Sequence, residues 1–211
     1  MDKFRRDIRA AAQNRGINAL YHFTQLSNIE GILRKGLLSR SSLLEDNDKD
    51  VVYVIDDVRP DGRDDLVSVS IQNINFQMFD IKRTKSSDQW VILELKPEVL
   101  WKYNCIFSWR NAATREIKSH TGFRGGPWAF EKMFEDLSIH GASGTGFREH
   151  HNLESWEPTK SDAEMAVVDG INRDDFVDIT VPSIAVKNTV ESIMKHIDFH
   201  LPVEVNSEVF W

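Results

Sequence analysis

The chain has 211 residues, of which 41% are hydrophobic, and its formal net charge is −7. These values predict one folded domain over residues 1–211 and exclude a disordered chain, while the net acidity disfavours non-specific binding to duplex nucleic acid. The single cysteine, Cys105, excludes an internal disulfide and a multi-cysteine zinc site, which is typical of a protein of the reducing cytoplasm. No apolar run is long enough to span a bilayer, so we expect no membrane partner.

The first forty residues predict a helix, a strand and a second helix. Apolar residues at helical spacing indicate a helix over 2–15 that ends at Gly16. Residues 19–24 are typical of a strand. Ser27 then predicts a helix N-cap with Glu30 completing a capping box, and Gly36 predicts the helix end.

The middle of the chain predicts further strands and short helices around an acidic loop. The predicted strands are Val51–Ile55, Leu66–Ile71 and Trp90–Leu95. The predicted helical segments are Val99–Trp101, Asn111–Lys118 and a helix near Ala129–Asp136. A long irregular stretch over 140–146 is typical of a functional loop.

The last fifty residues predict mostly strands. These are Ala163–Val168, Phe176–Val181, Ile184–Val186 and an edge strand within Leu201–Trp211, with one helix at Thr189–Lys195. Because most strands are not separated by long helices, the pattern disfavours a doubly wound parallel sheet. The pattern predicts an α+β fold with a split, mixed sheet and short flanking helices.

Two polar side chains at the first strand and one late carboxylate are the candidate site. His22 and Thr24 are two residues apart, so a strand directs them to the same face. A histidine and a hydroxyl there suit a ribose or an amide, although a structural histidine is the simpler alternative. Glu164 opens an otherwise apolar strand, which is costly unless the carboxylate is paired or used, although a glutamate facing water is the commoner case.

Other motifs are less specific. The histidines His140, His150 and His151 have no metal-ligand spacing, so we expect no metal. Aromatic residues are mixed with arginines in the second half of the chain, and one or two of them are candidates for stacking on bases. These residues are Phe107, Trp109, Phe123, Trp128 and Trp156, with Arg110, Arg115, Arg124 and Arg148.

The chain resembles the DarT-type nucleic-acid ADP-ribosyltransferase toxins. The resemblance covers most of residues 19–182. It rests on the segments Tyr21–Leu37 and Asp162–Val167, together with the region from His140 to Trp156, which is similar to a substrate-presenting loop. The segment Asn75–Phe79 is similar to the strand-end segment of that family with its methionine.

The resemblance implies an ADP-ribosyltransferase fold with NAD in a cleft of the split sheet. His22, Thr24 and the backbone of Phe23 would hold the nicotinamide ribose and amide, with Gly31, Leu38, Arg40 and Met78 also at the dinucleotide. Glu164 would bond the ribose 2′-hydroxyl and stabilise the charge that develops as nicotinamide leaves. We therefore expect His22 and Glu164 to face the same pocket.

The resemblance also implies a catalytic arginine and a nucleic-acid substrate. Arg59 has the best distance from the histidine motif, with Arg63 and Arg40 as alternatives. The expected substrate is single-stranded DNA, with RNA as an alternative, and the expected partner is a cognate antitoxin of a toxin–antitoxin or anti-phage system. An RNA 2′-phosphotransferase and a non-catalytic nucleic-acid-binding module are the other candidate functions.

Overall fold

The computed structural model describes residues 1–45, 62–120, 122–137 and 146–210. Its helices are α1 (Lys3–Arg15), α2 (Ile29–Lys35), α3 (Arg40–Glu45), α4 (Phe76–Arg83), α5 (Val99–Lys102), α6 (Arg115–Lys118), α7 (Pro127–Lys132), α8 (Phe147–His150) and α9 (Ile184–His196). Its strands are β1 (Leu20–Gln25), β2 (Leu37–Leu38), β3 (Leu66–Ile71), β4 (Trp90–Leu95), β5 (Cys105–Ser108), β6 (Glu164–Val168), β7 (Gly170–Ile171), β8 (Phe176–Val181) and β9 (Val203–Val205).

Seven of these strands form one mixed sheet in the order β5-β6-β3-β1-β4-β8-β9. The neighbours pair antiparallel except β8 and β9, which are parallel because α9 connects them. The strands β2 and β7 form a separate two-stranded sheet. The predicted α+β class with a mixed sheet and short helices is confirmed.

The two faces of the sheet carry different cores. Buried residues of α1, α2 and α9 pack on one face together with Leu93 and Met165. On the other face, Phe79 of α4 packs with Trp90, Ile92 and Phe210. Alternate residues of β4 therefore belong to different cores, as the two-residue period of a strand requires.

The sheet is split beside β1. All six residues of β1, from Leu20 to Gln25, pair with β4. On its other side β1 pairs with β3 only at Leu20 and Tyr21. The strands β1 and β3 therefore separate from His22 onward; the sequence predicted a split sheet but not the place of the split.

The local signals in the sequence identify most elements. Asp2 caps α1 through a bond from the Arg5 amide, and Gly16 ends it with a φ of 74°. The strands predicted at Leu66–Ile71, Trp90–Leu95 and Phe176–Val181 are confirmed with the same bounds. The candidate strand Val51–Ile55 and most of the 140–146 stretch lie outside the described residues.

Three element predictions are wrong, and the predicted edge strand of the tail is confirmed over a shorter range. Ile184–Val186 is the first turn of α9, because the Ser183 side chain accepts a bond from the Val186 amide and caps the helix. The Ser27–Glu30 capping box is absent; Ser27 lies in a short 3-10 helix, and Glu30 bonds Arg34 instead. Of the tail, only Val203–Val205 is a strand. Asn75–Phe79 is not a strand end but the start of α4, which Asn75 caps.

The short β2–β7 pair attaches the first motif to the chain that follows Glu164. Leu37 pairs with Ile171 and Leu38 with Gly170. Gly36, which ends α2 at φ 90° and ψ 179°, sits so close that an added Cβ would collide with the Ile171 carbonyl oxygen. A glycine is required here because this backbone conformation is open almost only to glycine.

Gly36→Ala is therefore expected to destabilise the fold by about 1–3 kcal/mol from backbone strain, with a further cost from the collision. The measurement is urea unfolding followed by circular dichroism. Gly16→Ala is the matched control, since Gly16 also has a positive φ but has open space around its Cβ position. Equal losses for the two variants would contradict the close approach to Ile171.

Within the described residues, the helices lack the length and apolar character needed to cross a membrane.

Candidate active site

His22 bridges the split in the sheet. Its Nδ1 lies 2.9 Å from the carbonyl oxygen of Ser68 on β3. A carbonyl oxygen only accepts, so Nδ1 carries a proton and donates it. Burial lowers the pKa of His22, and the bond to Ser68 opposes this with a smaller effect. The ring is thus neutral at pH 7, and its Nε2 is an acceptor.

The two residues after His22 are held by neighbours on opposite sides of β1. Phe23 packs with its ring centre 5.0 Å from that of Phe79. Thr24 is buried, and its Oγ1 accepts a bond of 3.2 Å from the Asn28 side chain just before α2. The end of β1 is therefore tied to both the helix that follows it and the core beneath it.

Glu164 is the first residue of β6, and its carboxylate is held by two donors. Oε1 accepts from Asn111 Nδ2 at 2.7 Å, and Oε2 accepts from the Ala112 amide at 2.9 Å. Two donors of this kind fix the direction of the carboxylate. The half-buried carboxylate is thus positioned as a fixed negative charge, which is not the environment of a glutamate that merely faces water.

Further polar side chains surround the Glu164 end of β6. Asp162 accepts from Arg110 Nε at 2.9 Å and from the Asn111 amide at 3.2 Å. Ser108 is the register partner of Glu164, and its Oγ accepts a bond of 2.7 Å from Arg124. Two arginines therefore bond to residues close to Glu164, Arg110 to Asp162 and Arg124 to Ser108.

The topology brings the His22 and Glu164 segments to the same part of the sheet. Tyr21 pairs with Ser70 of β3, and Val69 of β3 pairs with Met165 of β6. With about 4.8 Å between neighbouring strands, the backbones of β1 and β6 lie about 10 Å apart at this level.

Strand alternation, however, directs the two side chains to opposite faces of a regular sheet. His22 pairs with Leu93, which belongs to the larger core, so the His22 side chain lies on that face. Glu164 comes directly before Met165, which belongs to the same core, so the Glu164 side chain lies on the other face. One ligand can contact both His22 and Glu164 only through the opening where β1 and β3 separate. A shared pocket thus stays a prediction that depends on this opening.

The candidate arginines differ in position. Arg59 lies outside the described residues. Arg63 bonds Asp65 at 2.7 and 2.6 Å, just before β3. Leu66 pairs with Val168, which is four residues, or about 13 Å along β6, from Glu164. Arg63 therefore lies at the opposite end of the β3–β6 pair from Glu164. Arg40 opens α3 and pairs with Asp64 at 3.8 Å.

The remaining predicted NAD contacts lie around β1. Gly31 is in α2, directly after the Thr24–Asn28 contact, and Leu38 pairs with Gly170 in the small sheet. Met78 is a half-buried residue in the first turn of α4, next to Phe79, on the face of the sheet that carries Phe23.

Sequence reasoning did not identify Asn111 and Ala112 as the donors to Glu164. No local signal marks them, since β5 was not predicted and only its pairing with β6 brings residues 111 and 112 to the carboxylate. Arg124 was considered only for nucleic-acid contacts. Its bond to Ser108 likewise depends on the register of β5.

In the described part of the chain, no group of three or more His, Cys, Asp or Glu side chains is arranged to hold a metal ion. His150 and His151 are neighbours in space, with ring centres 5.1 Å apart at the end of α8.

Solved structures similar to this chain are DarT proteins. Thermus sp. 2.9 DarT in complex with NAD+ is 18% identical, with a TM-score of 0.60 over 92% of this chain and 97% of that chain. The same protein in complex with ADP-ribosylated ssDNA is 16% identical, with a TM-score of 0.58 over 92% and 96%. Thermosipho africanus DarTG in complex with ADP-ribose is 17% identical, with a TM-score of 0.50 over 91% and 50%. No curated protein matches the chain.

The likeness to these structures confirms the expected ADP-ribosyltransferase fold. A family model described as "ssDNA thymidine ADP-ribosyltransferase, DarT" matches residues 21–211, which is most of the chain and includes both His22 and Glu164. The predicted enzyme class and the predicted substrate NAD agree with this description and with the NAD+ complex of the Thermus protein. The chain belongs to the DarT family of ADP-ribosyltransferases.

Proposed function

We propose that this chain transfers one ADP-ribose group from NAD to a thymidine base of single-stranded DNA. The observation that carries the proposal is the Glu164 carboxylate, half-buried and fixed by Asn111 and Ala112 at the start of β6, the strand that pairs with β3. The family description names this activity. The complex of the Thermus protein with ADP-ribosylated ssDNA supports DNA over RNA as the substrate.

NAD is proposed to bind in the split. The neutral His22 ring offers Nε2 as an acceptor for a ribose hydroxyl, while Thr24 and the backbone of Phe23 contact the nicotinamide ribose and amide. Gly31, Leu38, Arg40 and Met78 are the further proposed contacts of the dinucleotide. A glycine in the middle of α2 costs about 1 kcal/mol relative to alanine, which is consistent with a close approach of the ligand to the backbone.

Glu164 is proposed to act on the bond that breaks. It accepts a hydrogen bond from the ribose 2′-hydroxyl and opposes the positive charge that develops at the anomeric carbon. The carbon–nitrogen bond to nicotinamide breaks, and its electron pair leaves with nicotinamide. An atom of the base then bonds to that carbon and loses its proton, a step in which Arg59 is the proposed helper.

The test is to incubate the purified chain with NAD and oligonucleotides and to measure their masses. A single-stranded DNA that contains thymidine is expected to gain the mass of one ADP-ribose group, and the same DNA with every thymidine replaced by cytidine is expected to gain none. Labelling of RNA alone or of protein alone would overturn the proposal. Release of an ADP-ribose cyclic phosphate from 2′-phosphorylated RNA would instead identify a 2′-phosphotransferase.

We also propose that the chain acts in the cytoplasm as a toxin of a toxin–antitoxin or anti-phage system, held inactive by a cognate antitoxin. Modification of DNA bases would block replication, which supports a toxic role. Expression of the chain in bacteria is expected to arrest growth, and Glu164→Gln is expected to relieve the arrest. Equal toxicity of the two proteins would contradict this role.

A further inference from the structure

The aromatic residues that the sequence offered for base stacking fall into two groups. Phe107 is fully buried and Trp109 is 9% exposed, so both are core residues. Trp156 is partly buried against the same core. Phe123 and Trp128, in contrast, are 71% and 56% exposed. The last two therefore remain as candidates for contact with a ligand.

Phe4 of α1 lies against Phe123, and we name Phe4, Phe123 and Trp128, which is five residues after Phe123, the aromatic platform. Phe4 is 52% exposed, and its ring centre is 6.5 Å from that of Phe123. Both rings lie beside Gly126, and Trp128 follows two residues later in the first turn of α7. Clustered exposed apolar side chains mark binding sites, whereas single exposed apolar side chains are an ordinary feature of protein surfaces.

The orientation of Trp128 is fixed by its neighbours. Its ring stacks on His120 at 5.6 Å with an angle of 12° between the planes, and it meets Trp109 edge to face at 5.6 Å. Trp109 is itself held by a bond from its indole nitrogen to Glu116. Trp128 is thus an exposed but supported surface, which lowers the entropy cost of stacking a ligand on it.

The helices near the platform carry exposed basic side chains. Arg6 of α1 is exposed and donates to the Met1 carbonyl, and Arg9 is exposed with its guanidinium 5.9 Å from the Trp101 ring centre. Arg115 and Lys118 of α6 are also exposed. Exposed aromatic rings and exposed cations on the same helices suit single-stranded nucleic acid, since bases stack on the rings and phosphates bind the cations.

The platform is connected to the Glu164 strand through the edge of the sheet. The Phe107 amide donates to the Arg124 carbonyl at 2.9 Å, and Phe107 pairs with Met165. Residue 124 therefore lies about two strand spacings, or about 10 Å, from the start of β6. Arg124 also donates to Ser108, the register partner of Glu164. A strand of a few nucleotides spans this distance.

We infer that the aromatic platform binds the nucleotides that flank the modified base of a single strand, by stacking on their bases. The inference rests on the proposed function, because it takes the reacting base to lie at Glu164. It adds a second contact region outside the NAD cleft. Because of this region, a strand long enough to reach the platform binds more tightly than a short one. A stacked base contributes about 1–3 kcal/mol.

The test compares wild type with the double variant Phe123→Ala/Trp128→Ala on two thymidine-containing DNAs, of about 16 and about four nucleotides. The KM for the long DNA is expected to rise about 10-fold or more in the variant. The KM for the short DNA, the KM for NAD and kcat are expected to stay within about twofold. Trp128→Phe, which keeps a ring, is expected to restore part of the affinity.

Ile184→Ala is the matched control, since Ile184 is 68% exposed at the start of α9 and lies away from the platform. Unchanged affinity of the double variant for the long DNA would overturn the inference. An equal rise in KM for both DNAs would also overturn it, because the loss would then lie at the reacting base.

Affinity measured without NAD separates this inference from the proposed function. Fluorescence anisotropy with labelled single-stranded DNA and the Glu164→Gln chain reports binding alone. Weaker binding after the platform substitutions would support the platform even if no DNA were ever modified. Arg6→Gln is expected to reduce the slope of log K against log salt by about 0.7 if Arg6 contacts a phosphate. If the wild type modifies DNA but the platform substitutions leave DNA affinity unchanged, the platform is rejected and the proposed enzymatic function stands.

Discussion

Replacing Glu164 with glutamine is expected to lower the rate of ADP-ribosyl transfer by about 10²–10³-fold while the chain remains folded. The amide has nearly the same size as the carboxylate but no charge, so it cannot oppose the positive charge at the anomeric carbon. It still accepts one of the two bonds from Asn111 and Ala112. Transfer is measured as the mass gained by a thymidine-containing DNA.

The folded state of this variant is expected to lose about 1 kcal/mol. The amide group of glutamine would face a donor where the carboxylate accepted a bond, so one of the two hydrogen bonds is lost. Thermal unfolding of the variant and the wild type measures this difference. Glu98→Gln is the control, because Glu98 is exposed before α5 and its side chain makes no capping bond. Equal loss of transfer in the control would contradict a specific role for Glu164.

Asn111→Ala separates the charge of Glu164 from its position. This variant keeps the carboxylate but removes the 2.7 Å bond that directs it. An intermediate loss of transfer, about 10-fold, is expected because the carboxylate loses one hydrogen bond and keeps the one from the Ala112 amide. Asn111 is a positioning residue, so kcat is expected to fall while the KM for NAD changes little. A variant that transfers at the wild-type rate would contradict a positioning role for Asn111.

The sequence predicts the elements that depend on local chemistry. Asp2 and Gly16 bound α1 as their cap preferences require, and the alternation in Leu66–Ile71 is enough to identify β3. The segment Ile184–Val186 shows where local chemistry misleads. Its β-branched residues favour a strand, but the Ser183 cap and the apolar face of α9 outweigh that preference.

The site is only partly predictable because much of it is created by register. His22 and Glu164 are recognisable in the sequence because each interrupts an apolar strand. The donors at residues 111 and 112 have no such signal. They reach Glu164 because Ser108 pairs with Glu164 and the chain turns just after that pair, and neither fact is encoded locally. The same holds for the opening between β1 and β3, which depends on where their pairing stops.

A substitution at His22 tests whether NAD binds in the opening between β1 and β3, and the expected result depends on pH. His22→Asn keeps a donor near the Nδ1 position, so the bond to Ser68 can persist, but it removes Nε2. The KM for NAD is therefore expected to rise about 10-fold at pH 7.5, the cost of one strong hydrogen bond. Expected changes in unfolding free energy are smaller, within about 1 kcal/mol. His200→Asn is the control, since His200 is exposed beyond α9.

The pH dependence has a definite sign. Burial lowers the pKa of His22 in the folded chain below its ordinary value of about 6.5. Between that lowered pKa and about 6.5 the unfolded chain binds more protons, so the stability that wild type has above pH 6.5 falls as the pH falls. The KM of wild type for NAD is expected to rise only below the lowered pKa, when Nε2 becomes a donor, whereas that of His22→Asn stays flat. A wild-type KM for NAD that rises already near pH 6.5 would mean that His22 is not the neutral acceptor at the opening between β1 and β3.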